Sequence, residues 1–288
     1  MLDDISPFDL TDNVSRPVMQ RTRGAAECTF KVRDGKTVLD NLRQSGSFKV
    51  RIPKTPTSDV PEAVLLNTAG GLTGGDKLAF HGAIAAGGDA IFTTQASERA
   101  YRSLEGDAEV TTKLRVGERS RLAWLPQETI MFEGARLART FDVHMAADAV
   151  LLAHESVVFG RTAMDEIVRS GSFRDSWKIY HDDTLIHADA MRVSGDIEHT
   201  LDRPATLNGA KAMATILYIG PDIGEQVDIA RYAMRGIDPD AAKGGVSGWA
   251  GKLACRIVAR DGASLRRMVT PVLETLNDGR ALPRVWNI

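Results

Sequence analysis

Apolar residues recur at every second position over most of the chain. "LAFHGAI" places Leu78, Phe80, Gly82 and Ile84 on one parity, and "VTTKLRV" does the same with Val110, Thr112, Leu114 and Val116. A period of two is the strand period. "AECTFKV", "FKVRIP", "PEAVLLN", "AIFTTQA", "TFDVHM", "VLLAHESVVF", "LIHADAMRV" and "LACRIVA" share this strand-like texture. Turn residues interrupt the runs about every 8–12 positions, and Asp34-Gly35 in "RDGKT" is a hairpin signal. The pattern predicts a mainly β protein.

The period changes in the last quarter. "EQVDIARYAMRG" predicts a helix stopped by Gly236. "SLRRMVTPVLETL" sets Leu265, Met268, Val269, Val272, Leu273 and Leu276 at helical spacing, with Pro271 expected to kink that helix or mark its first turn. About two helices are therefore expected, both late. Residues 1–20 are polar and carry prolines without a period, which predicts a loose arm. No linker divides the rest, so 21–288 is expected to be a single domain. The sequence shows no internal repeat with a readable period.

Composition narrows the function classes. The chain has 288 residues, 43% hydrophobic and 26% charged, with a net charge of −2. That is an ordinary globular composition, and it lacks the basic excess that nucleic-acid or anionic membrane partners require. No apolar run approaches the roughly 20 residues needed to cross a bilayer, and "MLDDISPFDL" is not a secretory signal. Cys28 and Cys255 are far apart and form no CxxC. A cytoplasmic protein without nucleic-acid or membrane partners is expected.

Candidate chemistry is concentrated in a few segments. "NTAGGLTGGDKL" (Asn67–Leu78) spaces Gly70 and Gly75 as a phosphate loop would. Asp76 then stands where the lysine belongs, and an acidic side chain repels a phosphate. The other use of Gly70, Gly71, Gly74 and Gly75 is a strand–turn–strand link in which backbones approach closely and Asp76 caps the turn. "TTQASERAYRS" carries Gln95, Glu98, Arg99 and Arg102, as a polar surface around Arg102 or as a strand entering a solvated turn. "WLPQETIMFEGAR" carries Glu128 and Glu133, which strand parity sets on opposite faces. In "YHDDTLIH", His181 and His187 flank two aspartates, a combination that suits nickel or zinc, although "HDDT" is also a good hairpin turn and the ligand spacing is not diagnostic. No HExxH or GxSxG occurs.

Taken together, "NTAGGLTGGD", "TTQASERAYRS", "LPQETIMFEGARL", "FGR" (Phe159–Arg161) followed by "MDE", and the terminal "LPRVW" resemble, in that order, the urease accessory protein UreD family, called UreH in some bacteria. "GKTVLDNLRQSGSFKVRIP" also looks like that family's N-terminal region. The resemblance spans about Arg21 to Trp286. Thr68-Ala69 depart from the prolines usual in the family's glycine loop.

The resemblance implies a stacked, β-helix-like body with two helices, and a maturation factor instead of an enzyme. It implies that the chain binds UreF, meets the GTPase UreG through UreF, docks on apo-urease and helps deliver nickel. No cofactor is implied beyond transient nickel. Gly70, Gly71, Gly74, Gly75, Asp76, Gln95, Arg102, Glu128, Glu133 and Arg161 become candidates for partner binding or nickel passage. Asp76, Glu128, His181 and His187 are the candidate metal ligands. A passage lined by Asp76, Gln95, Glu128 and Glu133, with Arg102 or Arg161 ordering the carboxylates, would suit transit. The same residues could equally hold the β-stack together through buried networks. The late helix could face UreF or cap the open end of the stack. The alternative from another class is a small-molecule enzyme using the glycine loop as an anion site.

Overall fold

The computed structural model describes residues 21–54, 60–161, 164 and 166–287. The expected arm, residues 1–20, lies outside the described residues.

The alternating runs form strands. The first are β1 (Arg23–Arg33), β2 (Lys36–Gly46), β3 (Phe48–Arg51), β4 (Glu62–Asn67), β5 (Lys77–Ile84), β6 (Asp89–Thr94), β7 (Glu98–Ala100), β8 (Ala108–Val116) and β9 (Arg121–Leu125). There follow β10 (Thr129–Met131), β11 (Arg136–Met145), β12 (Val150–Phe159), β13 (Ser170–His181), β14 (Thr184–Asp196), β15 (Ala212–Ile219), β16 (Ala242–Trp249) and β17 (Lys252–Ala259). Strand makes up 53% of the structure and helix 14%, so the body is mainly β.

The chain passes back and forth between two sheets. Parallel β4, β6, β9 and β12 in one sheet alternate along the sequence with parallel β5, β8, β11 and β13 in the other. This is a β-solenoid of about four turns. Each parallel neighbour is reached by way of the opposite sheet, so no crossover helix is required. Glu62 pairs with Ile91, Asp89 with Arg121 and Arg121 with Val150, so one turn takes roughly 30 residues. The sequence shows no readable repeat because the turns share inward parity without sharing residue identity. Antiparallel strands close the stack, β2 and β14 on one sheet and β3, β15, β17 and β16 on the other.

Inward residues interlock between the sheets. An aromatic spine crosses the turns: Phe80 stacks on Trp124 at 5.8 Å between centroids, Trp124 meets Phe141 at 5.9 Å, and Phe141 meets Trp177 at 4.8 Å.

Both expected helices are present, as α2 (Ile223–Ala233) and α3 (Gly262–Leu276), preceded by the six-residue α1 (Ile197–Asp202). Asp261 caps α3 by accepting the Ser264 N–H at 2.6 Å. Pro271 lies in the second half of α3 and not in its first turn. The apolar stripe of α3 is buried against the outer face of β15 and β17 and against α2, forming a second core. That stripe is consumed within the chain, and it covers a sheet face, not the end of the stack.

Candidate functional site

Four of the sequence motifs stack on one another along a narrow third side of the solenoid. Leu72 bridges to Ala100, β7 pairs in parallel with β10, and β10 pairs with the end of β12. The glycine loop, "ERA", "TIM" and "VVF" are thus successive rungs of one strip, although about ninety residues of sequence separate the first from the last.

The glycine loop is shaped by the rung beneath it. A Cβ on Gly71 would lie 2.3 Å from the Tyr101 ring, and one on Gly74 would lie 1.9 Å from Ser103 Oγ and 2.3 Å from the Glu105 carbonyl oxygen. Only glycine permits that approach. Asp76 is buried, and both carboxylate oxygens accept backbone N–H groups, Oδ1 from Thr22 at 2.7 Å and Oδ2 from Thr73 at 2.8 Å. The amides of Thr68, Ala69, Gly70, Leu72, Gly75 and Asp76 are also engaged within the protein. An anion nest needs free donors, and this loop spends most of its donors on its own fold. Thr68 donates its N–H to the Ser47 carbonyl at 2.9 Å, a bond that a proline at this position could not make.

A polar ladder runs down the outside of the strip. Ser97 donates to Glu128 at 2.8 Å, whereas Asn67 donates to Glu98 at 3.2 Å on the inner side of the strip. Arg102 stands 3.9 Å from Glu133, and Arg161 pairs with Glu166 at 2.8 Å while lying over the Phe132 ring. Glu133 accepts from the Arg169 N–H at 2.6 Å and from the Ser170 hydroxyl at 2.7 Å. Burial opposes its ionisation, but these hydrogen bonds and the charge of Arg102 hold the Glu133 carboxyl below its ordinary value. The terminal motif joins the same region from the other face of the sheet. Trp286 donates its indole N–H to the Leu125 carbonyl at 3.1 Å, and Gln127 donates to the Val285 carbonyl at 2.9 Å.

Behind the strip a cavity of about 260 Å³, open to the surface beside Gly70, Gln95, Ala96 and Arg99, runs into the solenoid; its walls include Asn67, Glu98, Thr112, Arg139 and Glu155. Burial pushes the Glu98 carboxyl up to about 7, against the Asn67 hydrogen bond. At the deep end, Arg139 donates to Glu155 at 2.5 Å and to Asp175 at 2.7 Å. A second, water-sized void beyond this triad is lined by Asp175, Asp189, Thr215 and Arg256, and it shares Arg139 and Glu155 with the first.

The structure therefore distributes the expected residues. Gln95 and Gly70 border the cavity. Asp76 lies within the loop turn, Glu133 and Arg102 lie on the outer ladder, and Arg161 is exposed beyond them. Glu128 borders a void of about 10 Å³ beneath α3, beside His154. His181 and His187 lie on either side of the β13–β14 turn, in which Asp182 takes φ 50°. Among the described residues, no group of three or more His, Cys, Asp or Glu side chains is placed to hold a metal ion.

The buried charges Arg139, Glu155 and Asp175 were not singled out from the sequence. Their signal was nevertheless present, because each takes the inward parity of an apolar strand: Leu137-Arg139-Phe141, Ala153-Glu155-Val157 and Phe173-Asp175-Trp177.

Fold and site together define a β-solenoid with an apolar core, a cavity polar along one wall, and a motif-bearing side. The chain belongs to the UreD urease accessory protein family, whose sequence model matches residues 22–287. It is 43% identical to a urease accessory protein UreD of Rhizobium leguminosarum bv. viciae over 93% of this chain and 96% of that protein. It is likewise 43% identical to one of Mesorhizobium japonicum over 95% and 97%, and 40% identical to one of Brucella suis over 96% and 98%. Membership gives the chain a role in urease maturation.

Proposed function

We propose that this chain works in urease maturation as a scaffold that binds apo-urease and UreF, engages the GTPase UreG through UreF, and lets nickel pass through its interior. The observation that carries this reading is the internal cavity, polar along one wall and continued by the Glu155–Arg139–Asp175 triad within an otherwise apolar stack. Its donors are oxygens and amides, which hold a borderline divalent ion more loosely than thiolates do. Burial pushes both cysteine thiols, Cys28 and Cys255, up to about 12, so neither offers a thiolate that would trap the metal. This path replaces the set Asp76, Gln95, Glu128 and Glu133, of which Gln95 alone borders the cavity. Asp76 has both oxygens committed to backbone donors, which favours a structural role for it.

The test is deletion of the chain in cells carrying the cognate urease genes, followed by measurement of urease activity and enzyme-bound nickel. Assembled but nickel-poor, inactive urease is expected. Full nickel content without the chain would sink the reading. Co-purification with UreF checks the partner assignment separately.

A further inference from the structure

Arg139 sits where the two internal voids meet. It belongs to the inward ladder of β11, between Leu137 and Phe141, and its side chain is 8% exposed. Its Nη1 donates to Glu155 at 2.5 Å and to Thr129 at 3.2 Å, its Nη2 donates to Asp175 at 2.7 Å, and the guanidinium lies 5.1 Å from the Phe173 ring centre. The two carboxylates do not depend on Arg139 for their placement. Trp124 donates its indole N–H to Glu155 Oε1 at 2.9 Å, and Trp177 donates to Asp175 Oδ2 at 3.3 Å.

The triad is incompletely satisfied in a consistent way. Arg139 Nε and Asp175 Oδ1 are both buried without a hydrogen-bond partner, which is unusual for charged groups in a native interior. One guanidinium is shared between two carboxyl groups in a poorly hydrated place. A divalent cation between the same two carboxylates would neutralise them fully. On the side of Thr129 the larger cavity offers the space into which a displaced guanidinium can swing.

We propose that Arg139 is a displaceable plug, its guanidinium occupying a divalent-cation position between Glu155 and Asp175 and closing the junction between the two voids until an entering metal ion displaces it. The biological use of this device rests on the passage reading above, whereas the cation position itself is testable without it. Arg139 acts as a competitor in this scheme: its guanidinium occupies the ion's position and blocks entry to the deeper void in the resting protein, while Trp124 and Trp177 keep the two carboxylates in place.

The experiment is nickel binding to the full chain by calorimetry at neutral pH. Arg139→Gln is expected to bind one nickel ion at least tenfold more tightly than the parent. Adding Glu155→Gln to that variant is expected to abolish the gain, and Arg139→Lys, which keeps a cation in place, is expected to stay at the parent affinity. A folded Arg139→Gln protein that binds nickel no more tightly than the parent overturns the proposal. Should Arg139→Gln not fold, the parent protein supplies the readout through its tryptophans. Saturable quenching of fluorescence by nickel that is lost in Glu155→Gln supports the plug, and quenching identical in the two proteins overturns it. A tight site in Arg139→Gln, combined with unchanged nickel loading of urease in cells, upholds the cation position and counts against the passage reading.

Discussion

Glu98 shows how a residue beside the cavity can be costly to the fold. Its carboxyl lies at the mouth of the cavity, and burial raises it to about 7. In the unfolded chain a glutamate titrates near 4.3. Between those values the folded state holds the proton more tightly, so stability is greatest below about 4.3 and is lost as pH rises through 7. Glu98→Gln removes this dependence. The variant should match the parent near pH 4.5 and exceed it at pH 8 by on the order of 3 kcal/mol, as read from urea midpoints at the two pH values. An unchanged pH profile would show that Glu98 is solvated and ionised throughout. Asp76 is the opposite case, since its oxygens are matched by two N–H donors and its chemistry is spent on the turn. The sequence offered both uses for Asp76 and could not choose between them, because the Thr22 donor lies 54 residues away. The interior charges were legible in principle, since Arg139, Glu155 and Asp175 break the apolar parity of their strands. What the sequence does not reveal is that three such breaks, on three different strands, meet at one point.

At the scale of elements, the strands with clean alternation were legible because one face is buried and the other wet. β16, "AKGGVSGW", was not, because glycine-rich edge strands carry no parity signal. α1 is too short to show a helical period. The terminal motif becomes intelligible only once it is folded. Trp286 is buried between α3 and the sheet, donates to the Leu125 carbonyl, lies edge-on to His154 at 5.5 Å between centroids, and carries the Arg266 guanidinium over its ring at 5.2 Å. It therefore fastens α3 to the sheet whose opposite face lines the cavity. Trp286→Ala should cost about 3–5 kcal/mol, the usual range for removing a buried aromatic, measured as a lower urea midpoint. Trp286→Phe keeps most of the burial but loses the indole donor, so it should cost about 1 kcal/mol. Equal losses from the two substitutions would mean that the hydrogen bond, not the packing, does the fastening.

For the whole molecule, the solenoid turns motifs scattered along the chain into a single wall. Its outer ladder and glycine loop brace successive turns, and its inner side faces the cavity. This division gives a contrast between two substitutions at positions only 22 residues apart in sequence. Asp76→Asn replaces an acceptor for two backbone N–H groups with a side chain that can serve only one of them, so it should lower stability by roughly 1–3 kcal/mol. Any urease activation lost should then follow the loss of folded chain, with nickel delivered per folded molecule unchanged. Glu98→Gln should do the reverse. It stabilises the fold at pH 8, yet it removes a carboxylate from the mouth of the cavity, so nickel bound to urease should fall while UreF co-purification and the amount of folded chain hold steady. Because the stability change and the predicted functional change have opposite signs, misfolding cannot account for the loss. If Glu98→Gln loads urease fully and Asp76→Asn loads it poorly at equal amounts of folded chain, the metal travels by the loop and the outer ladder, and the cavity is only a consequence of stacking.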